Sequence, residues 1–88
     1  MEKERADEVI RSAGRRIAEI RRELGWTQQE AAEVLNMPTK NFQKIERGSN
    51  LTIRSLVRLA NGFGVPTRTL LDEPATKERR AGRPRKKR

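Results

Sequence analysis

Glycine and proline divide this chain into short segments, and apolar residues recur within those segments at steps of three or four. That spacing is typical of amphipathic α-helices, and no segment shows the apolar–polar alternation of a half-buried strand. We therefore predict an all-α fold. It consists of an extension of helix 1 in residues 1–13, a compact five-helix domain in residues 14–73, and a disordered basic tail in residues 74–88.

The first predicted helix spans residues 6–24, with an apolar stripe along one side. Gly14 lies in its middle, and glycine weakens a helix interior. We therefore expect residues 1–13 to form either a separate turn or a frayed extension.

Capping residues predict where the later helices begin. Thr27 and Glu30 have the spacing of a capping box at the start of the second helix. Pro38 suits the first turn of the third helix, since a proline there loses no hydrogen bond. Thr52 and Thr67 are predicted to cap the fourth and fifth helices.

The composition excludes several kinds of site. The 88 residues fit one domain and include no cysteine and no histidine. Disulfides, thiol catalysis, the usual zinc ligands and the commonest general base are therefore excluded, and we expect no metal, no cofactor and no enzymatic activity. The charged N-terminal segment and the lack of a long apolar run predict neither a signal peptide nor a membrane partner. We expect a cytoplasmic, nucleoid-associated protein.

Positive charge is concentrated at one end of the chain. The net charge is +9, and residues 75–88 contribute eight Lys or Arg and one Glu, or +7 of it. Such a tail favours polyanions, either nucleic acid or anionic lipid. The alternative is a solvated segment that serves solubility alone.

The second and third predicted helices, joined by a short turn at residues 36–38, have the lengths that a helix-turn-helix requires. In such a unit the second of the two helices projects side chains into a major groove about 12 Å wide. Phe42 and Ile45 mark the buried side of the third predicted helix. The outer side is polar and without acids: Thr39, Lys40, Asn41, Gln43, Lys44 and Arg47.

The chain resembles the Cro/phage-repressor family of helix-turn-helix proteins, also called Xre-type, in GRRIAEIRRELGWTQQEAAEVLN, MPTKNFQKIERG and LTIRSLVRLANGFGV. The resemblance covers about residues 10–72. It implies a lambda-repressor-like fold and a sequence-specific transcription regulator of double-stranded DNA, a repressor by default. Restriction–modification controller proteins, which activate or repress, are also similar.

The resemblance also implies which side chains contact DNA. Thr39, Lys40 and Lys44 match positions that contact base edges, and Asn41 and Gln43 lie beside them, on bases or phosphates. Gln28 matches a phosphate-binding position. Gln29, Arg47 and Arg54 are further candidates for phosphate contacts. Because lysine only donates hydrogen bonds, Lys40 and Lys44 suit guanine O6 and N7, and we predict at least one guanine in the half-site.

Arg21 and Glu46 match a pair that the family uses as an internal salt bridge. The pairing has a physical reason, because an unpaired carboxylate on a DNA-facing helix would repel phosphates. Trp26 matches an apolar corner position. We assign it to the core, where it can fill the volume left by Ala31, since the family usually has leucine there.

The tail resembles the centre of an AT-hook, with Gly-Arg-Pro flanked by cations at Arg80, Gly82, Arg83, Pro84 and Arg85. Such a segment lies extended in the narrow minor groove of A/T-rich DNA, with Arg83 pointing inward. Ala81 departs from the motif, which has a second arginine there. Simple attraction to phosphates, or no role in DNA binding, remain alternatives.

A single module of this size contacts little DNA, so we expect a homodimer, with a surface formed by Phe63, Val65, Leu70 and Leu71. The alternative is that these four residues close the core of the monomer. Two other classes of function remain open. One is a protein-binding adaptor, antitoxin-like or coactivator-like. The other is an enzyme such as a nuclease subunit, which the lack of a visible metal-ligand cluster disfavours.

Overall fold

The computed structural model describes residues 4–49 and 51–75, and every regular element in them is helical. The α-helices, in chain order, are α1 (Ala6–Glu23), α2 (Gln28–Val34), α3 (Thr39–Glu46) and α4 (Ile53–Phe63). A 3-10 helix, Thr67–Leu71, follows α4. None of these helices combines the length and the apolar character needed to cross a bilayer. The all-α prediction is confirmed for this part of the chain.

The predicted fifth α-helix is wrong in type, because Thr67–Leu71 is a 3-10 helix of five residues. The predicted cap at Thr67 is also wrong, since Thr67 is the first helical residue and Pro66 precedes it without a side-chain hydrogen bond. So short a segment closes too few α-type hydrogen bonds to offset helix nucleation, and 3-10 geometry is common in such pieces. Its Leu70 is nevertheless fully buried.

α1 runs without a break through Gly14, so the boundary drawn at residue 14 falls inside one helix. A Cβ added to Gly14 would lie 2.7 Å from the carbonyl oxygens of both Ile45 and Glu46. The missing side chain therefore allows the backbone of α1 to approach the end of α3 closely. Gly14 therefore serves the packing of α1 against α3, and α1 remains helical through it.

A single core draws on every helix. Its largest fully buried side chains are Phe42, Ile17, Leu59 and Leu70. Trp26 packs against this core, with its ring centroid 6.0 Å from that of Phe63 and the two rings tilted by 43°. The structure thus places Trp26 in the packing role that the sequence predicted, in a tilted arrangement favourable for aromatic pairs.

The predicted dimer surface needs correction, because two of its four residues belong to this core. Phe63 is 7% exposed and Leu70 is 0% exposed. Val65 is half-buried against the same core, and Leu71 is 49% exposed. Periodicity identifies an apolar residue but does not distinguish burial within one chain from burial between two chains.

All four α-helices end in the same way, with one residue in the left-handed region: Gly25, Asn36, Gly48 and Gly64. In each case the next N–H donates to a carbonyl five residues earlier, as Met37 does to Ala32 at 3.0 Å. This is the Schellman arrangement, which satisfies otherwise unpaired carbonyls at a helix end. Asn36, with a φ of 56°, is the non-glycine member of the set and ends α2 at the turn toward α3.

Candidate nucleic-acid interface

α2, the turn at residues 35–38, and α3 form a helix-turn-helix unit. Its start is fixed by the predicted capping box, which is confirmed. Thr27 Oγ1 accepts from the Glu30 N–H at 3.0 Å, and the Glu30 carboxylate accepts from the Thr27 N–H at 2.8 Å. The inner sides of α2 and α3 share one core, formed here by Ala31, Ala32, Leu35, Phe42 and Ile45.

α3 directs Phe42 and Ile45 into that core, where they are 0% and 3% exposed. The other polar and cationic side chains of α3 and its end lie at the surface. Lys40, Asn41 and Arg47 are exposed, and Thr39, Gln43 and Lys44 are half-buried. The residues predicted to contact bases therefore share the outer side of one helix, which is held in place by the two apolar residues beneath it.

Glu46, the single acid of α3, is directed inward and paired with Arg21 of α1. Arg21 Nε lies 2.6 Å from Glu46 Oε2, and the two side chains are 12% and 7% exposed. A second guanidinium nitrogen of Arg21 donates to Glu46 Oε1 at 3.3 Å, and a third donates to the Trp26 carbonyl at 2.9 Å. The pair removes a negative charge from the surface and joins α1 to α3.

The amide of Gln28, on α2, extends this network. Its Nε2 donates to Glu46 Oε1 at 2.8 Å, and its Oε1 accepts from Gln43 Nε2 at 3.1 Å. A chain of hydrogen bonds therefore crosses from α1 through α3 and α2 to the outer side of α3. The sequence did not predict these contacts, because residues 28 and 43 are 15 positions apart and no local pattern joins them.

The four candidates for phosphate contacts have different surroundings. The Gln28 side chain is half-buried and engaged by Glu46 and Gln43. Gln29, Arg47 and Arg54 are exposed. The three exposed side chains are thus accessible to a backbone phosphate, whereas Gln28 already has intramolecular partners.

Arg58 on α4 is a candidate that the sequence analysis missed. With Ser55 it lines a pocket that Asn41 and Ile45 of α3 also line. Arg58 is exposed and lies one turn after Arg54 on the same side of α4. That four-residue spacing is the signal that could have identified it.

Within residues 4–49 and 51–75 there is no group of three or more acidic, His or Cys side chains arranged to hold a metal ion. The five residues of the AT-hook-like segment, Arg80, Gly82, Arg83, Pro84 and Arg85, lie outside the described residues.

Comparison with known families agrees with this geometry. The family described as helix-turn-helix matches residues 17–70, which include α2, the turn and α3. The chain belongs to the helix-turn-helix family. The chain is 39% identical over 61 residues to the HTH-type transcriptional regulator ImmR of Bacillus subtilis (strain 168). That match covers 68% of this chain and 48% of ImmR, so the chain spans about half the length of this curated relative.

Solved structures share the fold. The restriction-modification controller protein C.AhdI from Aeromonas hydrophila superposes with a TM-score of 0.66 at 23% identity, over 72% of this chain and 96% of that protein. The hypothetical transcription factor NHTF from Neisseria gives a TM-score of 0.72 at 21% identity, over 84% of this chain and 86% of the other. At these identities the likeness establishes the helical architecture and its element order.

Proposed function

We propose that this protein is a transcription regulator that binds double-stranded DNA in a sequence-specific manner through the outer side of α3. The observation that carries the proposal is the division of charge on α3. Lys40 and Lys44 lie at the surface, whereas Glu46 is inward and paired with Arg21. A helix that presents cations and amides and conceals its acid is suited to a major groove lined by phosphates.

Base contacts are assigned to Thr39, Lys40, Asn41, Gln43 and Lys44. Phosphate contacts are assigned to Gln28, Gln29, Arg47 and Arg54, with Arg58 added from the structure. Gln28 also supports α3 through its hydrogen bonds to Glu46 and Gln43. Repression by occupying a promoter is the default outcome of such binding. Activation, as the similarity to a controller protein suggests, is the alternative.

Binding as a twofold dimer would place two α3 helices one turn of DNA apart, roughly 34 Å. The exposed apolar side chains available for such a contact include Leu71 of the 3-10 helix and Ile53 and Val57 of α4, which are 49%, 75% and 40% exposed. Ile53 and Val57 are four residues apart and therefore lie on one side of α4. We propose this side of α4, with Leu71 and half-buried Val65, as the homodimer surface.

The basic tail is proposed to add affinity for DNA, through the minor groove or through phosphates alone. Its charge of +7 in residues 75–88 supports either mode. A cytoplasmic, nucleoid-associated location follows from this proposal. A protein-binding adaptor is the competing class, and tight stoichiometric binding to a protein partner with no selected DNA sequence would favour it.

The test is selection of bound duplexes from a random pool with the full chain, followed by affinity measurements on the selected duplex. We expect one enriched motif, and Lys40→Ala should weaken binding to it by about fivefold or more. Arg68→Ala is the matched control, since it removes the same charge from an exposed position on the 3-10 helix. Recovery of duplexes with no common motif, or equal losses in both variants, would overturn the proposal.

A further inference from the structure

The hydrogen bonds between Glu46, Gln28 and Gln43 have a direction set by chemistry. Glu46 is surrounded by donors, because Arg21 and Gln28 both donate to its carboxylate. An ionised carboxylate accepts hydrogen bonds and cannot donate them. The Gln28 group that faces Glu46 must therefore be the amide NH₂. The acceptor character of Glu46 thus decides which terminal atom of Gln28 is Nε2 and which is Oε1.

The orientation of the Gln28 amide in turn fixes the orientation of the Gln43 amide. With its NH₂ on Glu46, Gln28 turns its carbonyl oxygen toward Gln43, at 3.1 Å from Gln43 Nε2. Only the NH₂ of Gln43 can satisfy that oxygen. Reversal of either amide would place two acceptors, or two donors, face to face. The carbonyl oxygen of Gln43 is consequently held away from Gln28, and one N–H remains beside it.

Because of the position of Gln43, this orientation places a hydrogen-bond acceptor on the outer side of α3. Gln43 lies three residues after Lys40 and four before Arg47, on the outer side of α3. Lysine and arginine only donate, so the oriented carbonyl of Gln43 supplies a hydrogen-bond acceptor among donors. In the major groove an acceptor matches the exocyclic amine of adenine (N6) or cytosine (N4), and guanine O6 and thymine O4 repel it.

We propose that Glu46, acting through Gln28, fixes the amide of Gln43 so that it selects adenine or cytosine over guanine or thymine at one position of the half-site. Adenine fits best, because the free N–H of Gln43 can also donate to adenine N7. Gln43 is the specificity-determining residue, and Gln28 is a positioning residue. The inference rests on the proposed function of α3 as the DNA-contacting helix.

The test uses the full chain and the duplex selected by the wild-type protein. Gln43→Ala identifies the base position whose preference depends on Gln43. Affinity is then measured for four duplexes that differ only at that base. We expect the wild-type protein to prefer the adenine or cytosine duplexes by about fivefold or more. Gln28→Ala should reduce this ratio to about twofold or less, because an unrestrained amide can present either end to the base.

Gln29→Ala is the matched control, since Gln29 neighbours Gln28 on α2 and its side chain is exposed. Gln29→Ala should lower the affinity for all four duplexes equally and leave the ratio of affinities unchanged. A measurement on the free wild-type protein keeps the inference testable even if a variant folds poorly. In the free protein, the Gln43 side-chain NH₂ should show slowed exchange with water by NMR, and Gln28→Ala should abolish the slowing.

Three results would overturn the inference while leaving the proposed function intact. They are a preference for guanine or thymine at the Gln43-dependent base, no such base at all, or an unchanged ratio in Gln28→Ala. Absence of any selected motif would instead overturn the proposed function, and the role of Gln43 in specificity with it.

Discussion

Gly14 of α1 lies so close to Glu46 of α3 that a Cβ on the glycine would be 2.7 Å from the Glu46 carbonyl oxygen. This backbone contact sets the distance between α1 and the end of α3. The same end of α3 carries the ion pair with Arg21. Two contacts, one of backbone and one of side chains, therefore position α3 against α1.

Gly14→Ala is expected to destabilise the domain by about 1–3 kcal/mol, because the added methyl would overlap backbone atoms that cannot move separately from α3. Helix propensity alone predicts the opposite sign, a gain of about 1 kcal/mol. Urea unfolding followed by circular dichroism distinguishes the two. Asn61→Ala is the control, because it raises helix propensity at an exposed position of α4 and is expected to stabilise the domain by less than about 1 kcal/mol. Equal stability of Gly14→Ala and the wild type would contradict the packing role.

Glu46→Ala is expected to unfold the domain rather than only weaken DNA binding. It leaves Arg21, 12% exposed, without its carboxylate, and loss of one partner of a buried pair costs about 3–5 kcal/mol. Thermal unfolding measures the effect. Asp7→Ala removes a carboxylate from an exposed pair, in which Asp7 and Arg11 are 3.8 Å apart, and should cost less than about 1 kcal/mol. Retained stability in Glu46→Ala would show that the pair is dispensable.

Asn36→Val is expected to lower the free energy of unfolding by about 1–2 kcal/mol, since Asn36 has a φ of 56° and a β-branched residue is strained there. Asn36→Gly should match or exceed the wild type in thermal midpoint. Asn61→Val, at an exposed position within α4, is the control and should change stability little, because the two residues have similar helix propensities. A tolerated valine at position 36 would mean that the turn can adopt another conformation.

Lys44→Ala should remove a guanine preference from the selected half-site, because the lysine ammonium only donates and guanine offers two acceptors, O6 and N7. The measurement is duplex selection with the variant and the wild-type protein in parallel. A wild-type half-site made only of A·T pairs would show that the assignment of lysine to guanine is wrong.

Substitution of Arg80, Arg83 and Arg85 by alanine tests the tail in the full chain. The slope of log K against log salt should flatten by roughly 0.9 for each phosphate that the variant no longer neutralises. A control variant with alanine at Lys86, Lys87 and Arg88 removes the same amount of positive charge from the tail. Minor-groove binding predicts a larger decrease in affinity for A/T-rich flanking DNA in the first variant. Simple phosphate attraction predicts equal decreases, and an unchanged slope in both would exclude the tail from binding.

Local sequence signals predicted the local features of this fold well. Thr27, Thr52, Phe42 and Ile45 all have the structural roles expected of them, because capping and helical periodicity act within a few residues. The type of the last helix was harder to predict, since the decision between α and 3-10 geometry rests on length and on the packing of Leu70.

Features that join distant segments were predicted only where the family resemblance supplied them. The pairing of Arg21 with Glu46 came from that source. The bond between Gln28 and Gln43 and the contact of Gly14 with α3 were not predicted, and the burial of Phe63 was one of two alternatives left open. Each depends on how helices approach in space, which composition and spacing within one segment do not specify.

The inward carboxylate of α3 also constrains how operator preference can evolve in this lineage. If Gln43 selects a base as proposed, a mutation of Glu46 that changed this base would unfold the domain before the new preference could be selected. Diversification is therefore expected to proceed through Lys40, Asn41 and Gln43 themselves, which can change while Glu46 stays paired with Arg21.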